Sequence, residues 1–371
     1  MSVTRREFMG VAGAMVGTAL VSFPSSAVEP PKVGPIRLDS NENPYGPSQR
    51  AQDAMAAARS IAARYPDDLE DRVADALAQS HGVPPKNVLL GCGSGEILRM
   101  ADLAFLGSGR TVVAADPTFE AVLSYARVTK AEATRVPLTA DFRHDTKKMV
   151  AACDDRTGLV YVCNPNNPTG TIVKRAELAA LVAAVPERAV VLVDEAYHHF
   201  VEDSDYASAI DLVLKRPNVV VARTFSKIYG LAGMRLGYAV GAEDKIAAMR
   251  PHKNWSNANA AVLEAALASL DDADHVKQQR RLMNDTRRWL CDELKKDGRT
   301  YIPSETNFLM IDVGGDVASV IEAMRARKIF VGRRFAALPN WLRVSIGTRE
   351  EIGAFLAALR DVVPAKRTDA A

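Results

Sequence analysis

Val219-Val220-Val221-Ala222 leads directly into Arg223-Thr224-Phe225-Ser226-Lys227, and on into Ile228-Tyr229-Gly230-Leu231-Ala232-Gly233-Met234-Arg235. The apolar start reads as a strand buried on both faces, the kind found in a parallel sheet covered by helices. In such sheets ligands bind outside the carboxyl ends of the strands. Lys227 falls at that end, beside the hydroxyl residues Thr224 and Ser226 and ahead of a glycine-rich run. A surface lysine needs no such setting. A lysine that forms a Schiff base does, because it must be partly desolvated and held close to a carbonyl. Arg235 follows closely and offers a phosphate a fixed positive charge.

Other apolar runs end in the same way. Leu89-Leu90 enters Gly91-Cys92-Gly93-Ser94-Gly95-Glu96, Val160–Cys163 enters Asn164-Pro165-Asn166-Asn167-Pro168-Thr169-Gly170, and Val190–Val193 enters Asp194-Glu195-Ala196-Tyr197. One polar strand end means little; together they describe a single pocket. The glycine segment opens a helix, so the N–H groups from Gly93 to Gly95, the Ser94 hydroxyl and the helix dipole suit a phosphate. By itself the segment reads equally well as a plain tight turn. Asp194 follows an apolar run, and a buried carboxylate needs a cation or several hydrogen bonds. A protonated pyridine nitrogen is one such cation. Taken alone, Asp194 also reads as a helix N-cap.

Working outward, strand-like runs at Asn87–Gly91, Thr111–Ala115, Leu159–Cys163, Val190–Val193, Val219–Ala222 and Leu236–Val240 alternate with helical stretches such as Glu96–Phe105, Phe119–Arg127 and Arg175–Val185. The alternation predicts an α/β fold with a mostly parallel sheet sandwiched by helices. Near residue 252 the pattern changes. A long helical stretch over Asn257–Lys296 leads to Phe308–Val313, a helix over Val317–Arg327, a strand at Trp341–Ile346 and a last helix from Arg349. The predicted organisation is an address at 1–27, an N-terminal arm at 28–59, a large domain at 60–252 and a smaller α+β domain at 253–371.

The 371 residues allow ample core for both domains, and the net charge of +2 leaves no basic excess for a nucleic-acid surface. Cys92, Cys153, Cys163 and Cys291 form no CxxC pair, and His198-His199 has no third ligand in sight, so no metal site is expected. The N-terminus carries Thr4-Arg5-Arg6-Glu7-Phe8-Met9, an apolar stretch from Gly10 to Phe23 and the small residues Ser25-Ser26-Ala27. That order predicts a twin-arginine signal and a periplasmic or secreted protein, with the export machinery as a partner. The apolar run is short for a membrane span, although an anchor or a misassigned start is the alternative. This route moves folded proteins, which suits cargo that takes up a cofactor before export.

The run Arg223–Tyr238 closely resembles the cofactor-lysine segment of histidinol-phosphate aminotransferases and their class I/II relatives. Asn41-Glu42-Asn43-Pro44-Tyr45-Gly46-Pro47, Asn164–Gly170, Asp194–Tyr197 and Leu342-Arg343-Val344-Ser345-Ile346-Gly347-Thr348 resemble the same family in the same order, over about residues 36 to 360. The resemblance implies the aspartate-aminotransferase fold (fold type I) and the cofactor pyridoxal 5′-phosphate. It implies that Lys227 carries the cofactor as an internal aldimine and then acts as the base that moves the substrate proton. Asp194 would keep the pyridine nitrogen protonated, Asn167 and Tyr197 would bond the phenolic oxygen, and Phe119 would stack on the ring. Gly93, Ser94, Gly95, Thr224, Ser226 and Arg235 would surround the phosphate. Tyr65, in Arg64-Tyr65-Pro66, resembles the tyrosine that reaches the phosphate of the neighbouring subunit, which implies a homodimer. Arg343 would grip the substrate carboxylate as a fork, helped by Asn43 and Asn167.

The expected reaction moves an amino group between an L-amino acid, or an amine like histidinol phosphate, and a 2-oxo acid. Relatives acting on histidinol phosphate carry an arginine after an apolar strand ahead of the Arg343 motif. Here Phe330-Val331 precedes Gly332-Arg333-Arg334-Phe335, so two arginines compete for that position. Decarboxylation or racemisation with the same cofactor is the alternative chemistry, and a binding protein that kept the fold is the alternative class.

Overall fold

A computed structural model describes residues 34–364, so the twin-arginine pattern, the apolar stretch after it and Ser25-Ser26-Ala27 lie outside the described residues. Strand β1 (Ile36–Leu38) opens the described chain. A seven-stranded sheet follows, built from β2 (Val88–Gly91), β3 (Thr111–Asp116), β4 (Glu132–Pro137), β5 (Thr157–Cys163), β6 (Val190–Asp194), β7 (Val219–Thr224) and β8 (Gly237–Gly241). Its order is β2-β8-β7-β6-β5-β3-β4, and β8 alone runs antiparallel to its neighbours. A parallel return needs a crossover, usually a helix. The link from β7 to β8 has only one short turn, Ala232–Met234, so β8 comes back antiparallel. Lys227 sits in that link.

The apolar runs alternate between two cores, as period 2 demands. Val191, Val193, Val219 and Val221 pack on one face with the helices Asp67–His81, Arg175–Ala184 and Ala260–Leu270. Val190, Leu192, Val220 and Ala222 pack on the other with Ser94–Phe105 and Ala121–Thr129. Both faces are therefore covered, which is why these strands are apolar throughout. Edge strand β4 is mostly exposed, and its polar run Glu-Ala-Thr-Arg-Val-Pro gives no such signal.

A further core forms around β9 (Tyr301–Ile302), β10 (Phe308–Asp312) and β12 (Trp341–Ser345), antiparallel in the order β12-β10-β9. Strand β11 (Ile329–Val331) pairs parallel with β1, which ties the arm to this core. The stretch Asn257–Lys296 is two helices, Ala260–Leu270 and Ala273–Lys296, because Asp271-Asp272 interrupts it and Asp272 caps the second by accepting from His275 N–H. The first of them packs with the large sheet, so the change of core falls at Asp271-Asp272 and not at residue 252. Within the arm, Gln49–Ala57 forms a helix, capped by Ser48.

Candidate active site

Strand register sets the site. Gly91 lies beside Gly237, and Gly237 beside Thr224; one step along, Ala222 pairs with Asp194 and Asp194 with Cys163. The polar strand ends predicted from sequence thus share one edge. Above them opens a cleft of about 530 Å³ lined by Ser94, Gly95, Phe119, Asn167, Asp194, Tyr197, Thr224, Ser226, Lys227, Arg235 and Arg343. The arm adds part of the wall through Asp39, Ser40, Asn41 and Glu42, and Arg333 and Phe335 add another part.

Asp194 is 2 % exposed. Its Oδ2 accepts from the Tyr161 hydroxyl at 2.9 Å and its Oδ1 from Ala196 N–H at 3.2 Å. Burial pushes the carboxyl up to about 6, against the stabilising Tyr161 bond. Such a carboxylate favours a cationic partner. Lys227 projects from the same floor, its Nζ donating to the Ser40 carbonyl at 3.3 Å and lying 5.7 Å from the centre of the Tyr197 ring. Desolvation first, and the Arg343 charge second, bring its amine down to about 8, while Glu42 and Asp194 act in the opposite sense. The lysine is thereby closer to the neutral, nucleophilic form than an exposed one.

Ser94 and Gly95 begin a helix, so their N–H groups have no carbonyl of the preceding turn to meet. Arg235 lies across this turn: a Cβ on Gly93 would come within 2.3 Å of its Nη2. The guanidinium also donates to Ser226 Oγ at 3.4 Å and to the Ala232 carbonyl at 2.8 Å. Thr224 Oγ1 accepts from Ser226 N–H at 3.0 Å, which shapes the hydroxyl end of the cleft. Helix amides, hydroxyls and one arginine form an anion cradle.

Arg343 projects from β12. Its Nη1 donates to Asn167 Oδ1 at 2.9 Å and its Nη2 to the Asp39 carbonyl at 2.8 Å, and its buried Nε has no partner. Among the described residues no carboxylate forms an ion pair with it. Tyr197 accepts from Asn41 Nδ2 at 3.0 Å and Asn167 Nδ2 at 3.3 Å, and burial raises its hydroxyl well above the usual tyrosine range. Tyr197 and Ile228 also belong to the second hydrophobic core, so that core holds both the tyrosine and the neighbour of Lys227 in place.

Three expected residues, Asn43, Tyr65 and Gly93, do not line the cleft. Asn43 donates to the Ile228 carbonyl at 3.0 Å and accepts from Tyr45 N–H at 3.0 Å, so it braces the Lys227 loop and does not help Arg343. Asn41 reaches the cleft instead, because the arm turns at that residue with φ +54° while Ser345 Oγ accepts its N–H at 2.8 Å. Tyr65 is 84 % exposed and does not line the cleft of its own chain. Gly93 takes part only as backbone beneath Arg235. Sequence reasoning missed Tyr161, concealed inside an apolar strand, and Phe335, which borders the cleft beside Arg343. It also left two arginines competing. Arg333 lines the cleft, whereas Arg334 lies 3.6 Å from Asp316 and does not.

The buried carboxylate, the lysine near neutrality and the anion cradle fit pyridoxal 5′-phosphate at its pyridine nitrogen, its aldehyde and its phosphate respectively. The family model for aminotransferase class I and II matches residues 33–359. The histidinol-phosphate aminotransferase of Moorella thermoacetica is 39% identical over 331 residues, covering 88% of this chain and 85% of that protein. That of Brevibacillus brevis is 36% identical over 329 residues, covering 88% and 90%. The solved histidinol-phosphate aminotransferase of Sinorhizobium meliloti, in complex with pyridoxal-5′-phosphate, superposes with a TM-score of 0.83 at 28% identity, covering 93% of this chain and 98% of that one. The chain belongs to the class I and II aminotransferases. It is a pyridoxal-phosphate enzyme of fold type I that transfers amino groups between small molecules, and the alternative chemistries are not favoured.

When bound, the cofactor supplies an electron sink for the carbon that loses its proton. The protein's own residues do the rest. Asp194 would hold the pyridine nitrogen protonated, Asn167 and Tyr197 would hold the phenolic oxygen, and the Ser94–Arg235 cradle would fix the phosphate. Phe119, 39 % exposed at the cleft wall, would cover the ring face. Lys227, whose amine lies on the cleft floor, would serve as the base that moves the substrate proton.

Proposed function

We propose that the amino donor carries one anionic group next to the reacting carbon and an uncharged, flat side chain, as histidinol phosphate and aromatic amino acids do. The observation that carries this reading is Arg343: a buried guanidinium that, among the described residues, has an unpartnered Nε and no carboxylate of its own. A buried cation of that kind calls for an anion, and phosphate and carboxylate both match its fork. Phe119 and Phe335 supply apolar walls for a ring. The names of the relatives put histidinol phosphate first among the candidates. The test is the visible band of the purified holoenzyme on addition of single donors. Bleaching by histidinol phosphate or phenylalanine supports the donor class; bleaching by neither removes it.

We further propose a homodimer in which Tyr65 serves the neighbouring site, and export by the twin-arginine route. Tyr65 and Trp255, 84 % and 92 % exposed, sit on adjoining loops that Ser256 links to Asp67 at 3.1 Å, an aromatic surface that favours burial. The export reading rests on Arg5-Arg6 and the apolar run after them. Fractionation of producing cells tests it, and a purely cytoplasmic protein sinks it.

A further inference from the structure

Glu96 stands in the first turn of the helix whose start would hold the cofactor phosphate, yet it does not line the cleft. Three donors converge on its carboxylate. Cys92 N–H reaches Oε2 at 2.6 Å, the Asn257 side-chain NH2 reaches the same oxygen, and Asn254 N–H points to Oε1 at 3.4 Å. Cys92 belongs to the phosphate turn, whereas Asn254 and Asn257 flank the exposed Trp255. That loop is tied onward to the helix Asp67–His81. Lys253 pairs with Glu70, and Ser256, at φ +46°, donates to Asp67 Oδ1 at 3.1 Å. A serine rarely adopts that backbone region, so the tether fixes the shape of the loop. Tyr65 lies just ahead of Asp67. One continuous set of bonds thus runs from the phosphate turn through Glu96 toward both exposed aromatics.

We propose that Glu96 is a positioning residue that couples occupation of the phosphate turn to the placement of the Trp255 loop, and through it to the surface offered to a second copy of the chain. The proposal rests on the homodimer read above and adds the connection between its interface and the cofactor. Charge alone does not explain a carboxylate here. It favours the helix, but it takes up the same positive end that an incoming phosphate needs. The donors explain it. A carboxylate only accepts, so it can meet all of them at once, whereas a glutamine would turn an NH2 toward at least one. An anion drawn to Ser94 and Gly95 fixes the turn, the turn keeps Cys92 N–H on Glu96, and Glu96 keeps the loop in place. Linkage makes the effect reciprocal: a loop held by a partner subunit retains the cofactor more tightly.

The experiment uses holoenzyme carrying fluorotryptophan, with the Trp255 fluorine resonance assigned by its absence in Trp255→Phe. Removing the cofactor should shift that resonance in the wild type, and the shift should largely vanish in Glu96→Gln and in Asn257→Ala. Cofactor loss on dialysis is the second readout. Glu96→Gln should lose cofactor about tenfold faster than wild type, as expected for one broken hydrogen bond to a charged group. A purely electrostatic role predicts the opposite, slower loss, because a negative charge near the phosphate has gone. Asn257→Ala keeps the Cys92 bond and the helix charge, so faster loss there reports on the loop alone. A Trp255 shift retained in both variants, or slower loss in Glu96→Gln, overturns the coupling. Sedimentation at several concentrations reads the dimer separately. A holoenzyme that is monomeric throughout removes the homodimer, while the fluorine shift and the loss rates still decide the coupling.

Discussion

Asn167 connects the substrate end of the cleft to the cofactor end: its Oδ1 accepts from Arg343 Nη1 at 2.9 Å while its Nδ2 donates to the Tyr197 hydroxyl at 3.3 Å. A guanidinium only donates, so the amide oxygen must face Arg343 and the NH2 must face the tyrosine. One side chain thereby sets the orientation of the residue that would grip the substrate anion and of the pair that would hold the cofactor's phenolic oxygen.

The first prediction concerns that grip. Arg343→Ala removes the fork and leaves a substrate anion unpaired in a buried place, which should cost on the order of 2–5 kcal/mol in kcat/KM. Arg343→Lys keeps the charge but not the two-pronged geometry, and should recover only part of the loss. Steady-state kinetics on whichever donor bleaches the holoenzyme decides. A specificity constant unchanged in Arg343→Ala moves the anion site elsewhere.

A second prediction follows from the amine at about 8. Only neutral Lys227 can capture the cofactor, so apoenzyme reconstitution should accelerate as pH rises and level off above about 8. A lysine at its ordinary 10.5 would keep accelerating well beyond that point. Arg343 lowers this amine, so Arg343→Ala should move the inflection upward. The folded state holds this proton less tightly than the unfolded chain does. Between about 8 and 10.5 the unfolded chain binds more protons, and apoenzyme stability should therefore gain from Lys227 as pH rises through that window. Stopped-flow absorbance reads the rate; an inflection near 10.5 contradicts the desolvated setting.

The buried aspartate gives the third. Asp194 titrates at about 6 in the fold against 3.8 for an ordinary carboxyl. Between those values the folded state binds more protons, so the group's contribution to apoenzyme stability falls as pH rises and stays low at neutrality. The cost there is on the order of 3 kcal/mol. Asp194→Asn removes the charge and keeps acceptor capacity toward Tyr161. The apoenzyme should then melt several degrees higher at pH 7, while turnover is severely reduced because the pyridine nitrogen loses its counter-charge. Calorimetry on both forms checks this. An apoenzyme that melts lower, with turnover intact, is the contrary result.

The fourth is steric. A Cβ on Gly237 would meet Ser94 N at 2.3 Å and Gly93 C at 2.6 Å, both backbone atoms that have nowhere to go. Gly237→Ala should push the phosphate turn off its position and speed cofactor loss on dialysis. Gly315→Ala, with nothing within 4 Å of the new carbon, is the control and should retain cofactor as wild type does. Equal retention in both variants removes the argument.

The sequence made the floor of the site legible because its signals are local. A run such as Val190–Val193 ending in Asp194 states both burial and position, and register then brings it beside Cys163 and Ala222. The arm was harder. Asn41 and Asn43 are equivalent as letters, and the left-handed turn at Asn41 alone decides which side chain enters the cleft. Tyr161 was invisible for the opposite reason: inside Leu159–Cys163 a tyrosine reads as core, and its hydroxyl finds Asp194 only once β5 and β6 are side by side. Strand β4 was missed because an exposed edge carries no apolar pattern. The competition between Arg333 and Arg334 was a matter of side-chain direction, which spacing along a loop does not encode.

The last prediction tests the dimer through shared sites. If Tyr65 serves the neighbouring cleft, each site draws Lys227 from one subunit and Tyr65 from the other. Lys227→Ala homodimers lack the anchor and base in both sites and should be inactive. Tyr65→Ala homodimers lack the phosphate contact in both and should hold the cofactor weakly. A mixed dimer with one subunit of each kind distributes the defects unevenly: one site carries both, and the other carries neither. Co-expression of the two variants with different tags, followed by isolation of the mixed species, should recover about half of the wild-type activity per dimer, since one of its two sites is intact. If Tyr65 acts only within its own chain, the mixed dimer pairs a Lys227→Ala site with a Tyr65→Ala site, and its activity should match half that of the Tyr65→Ala homodimer.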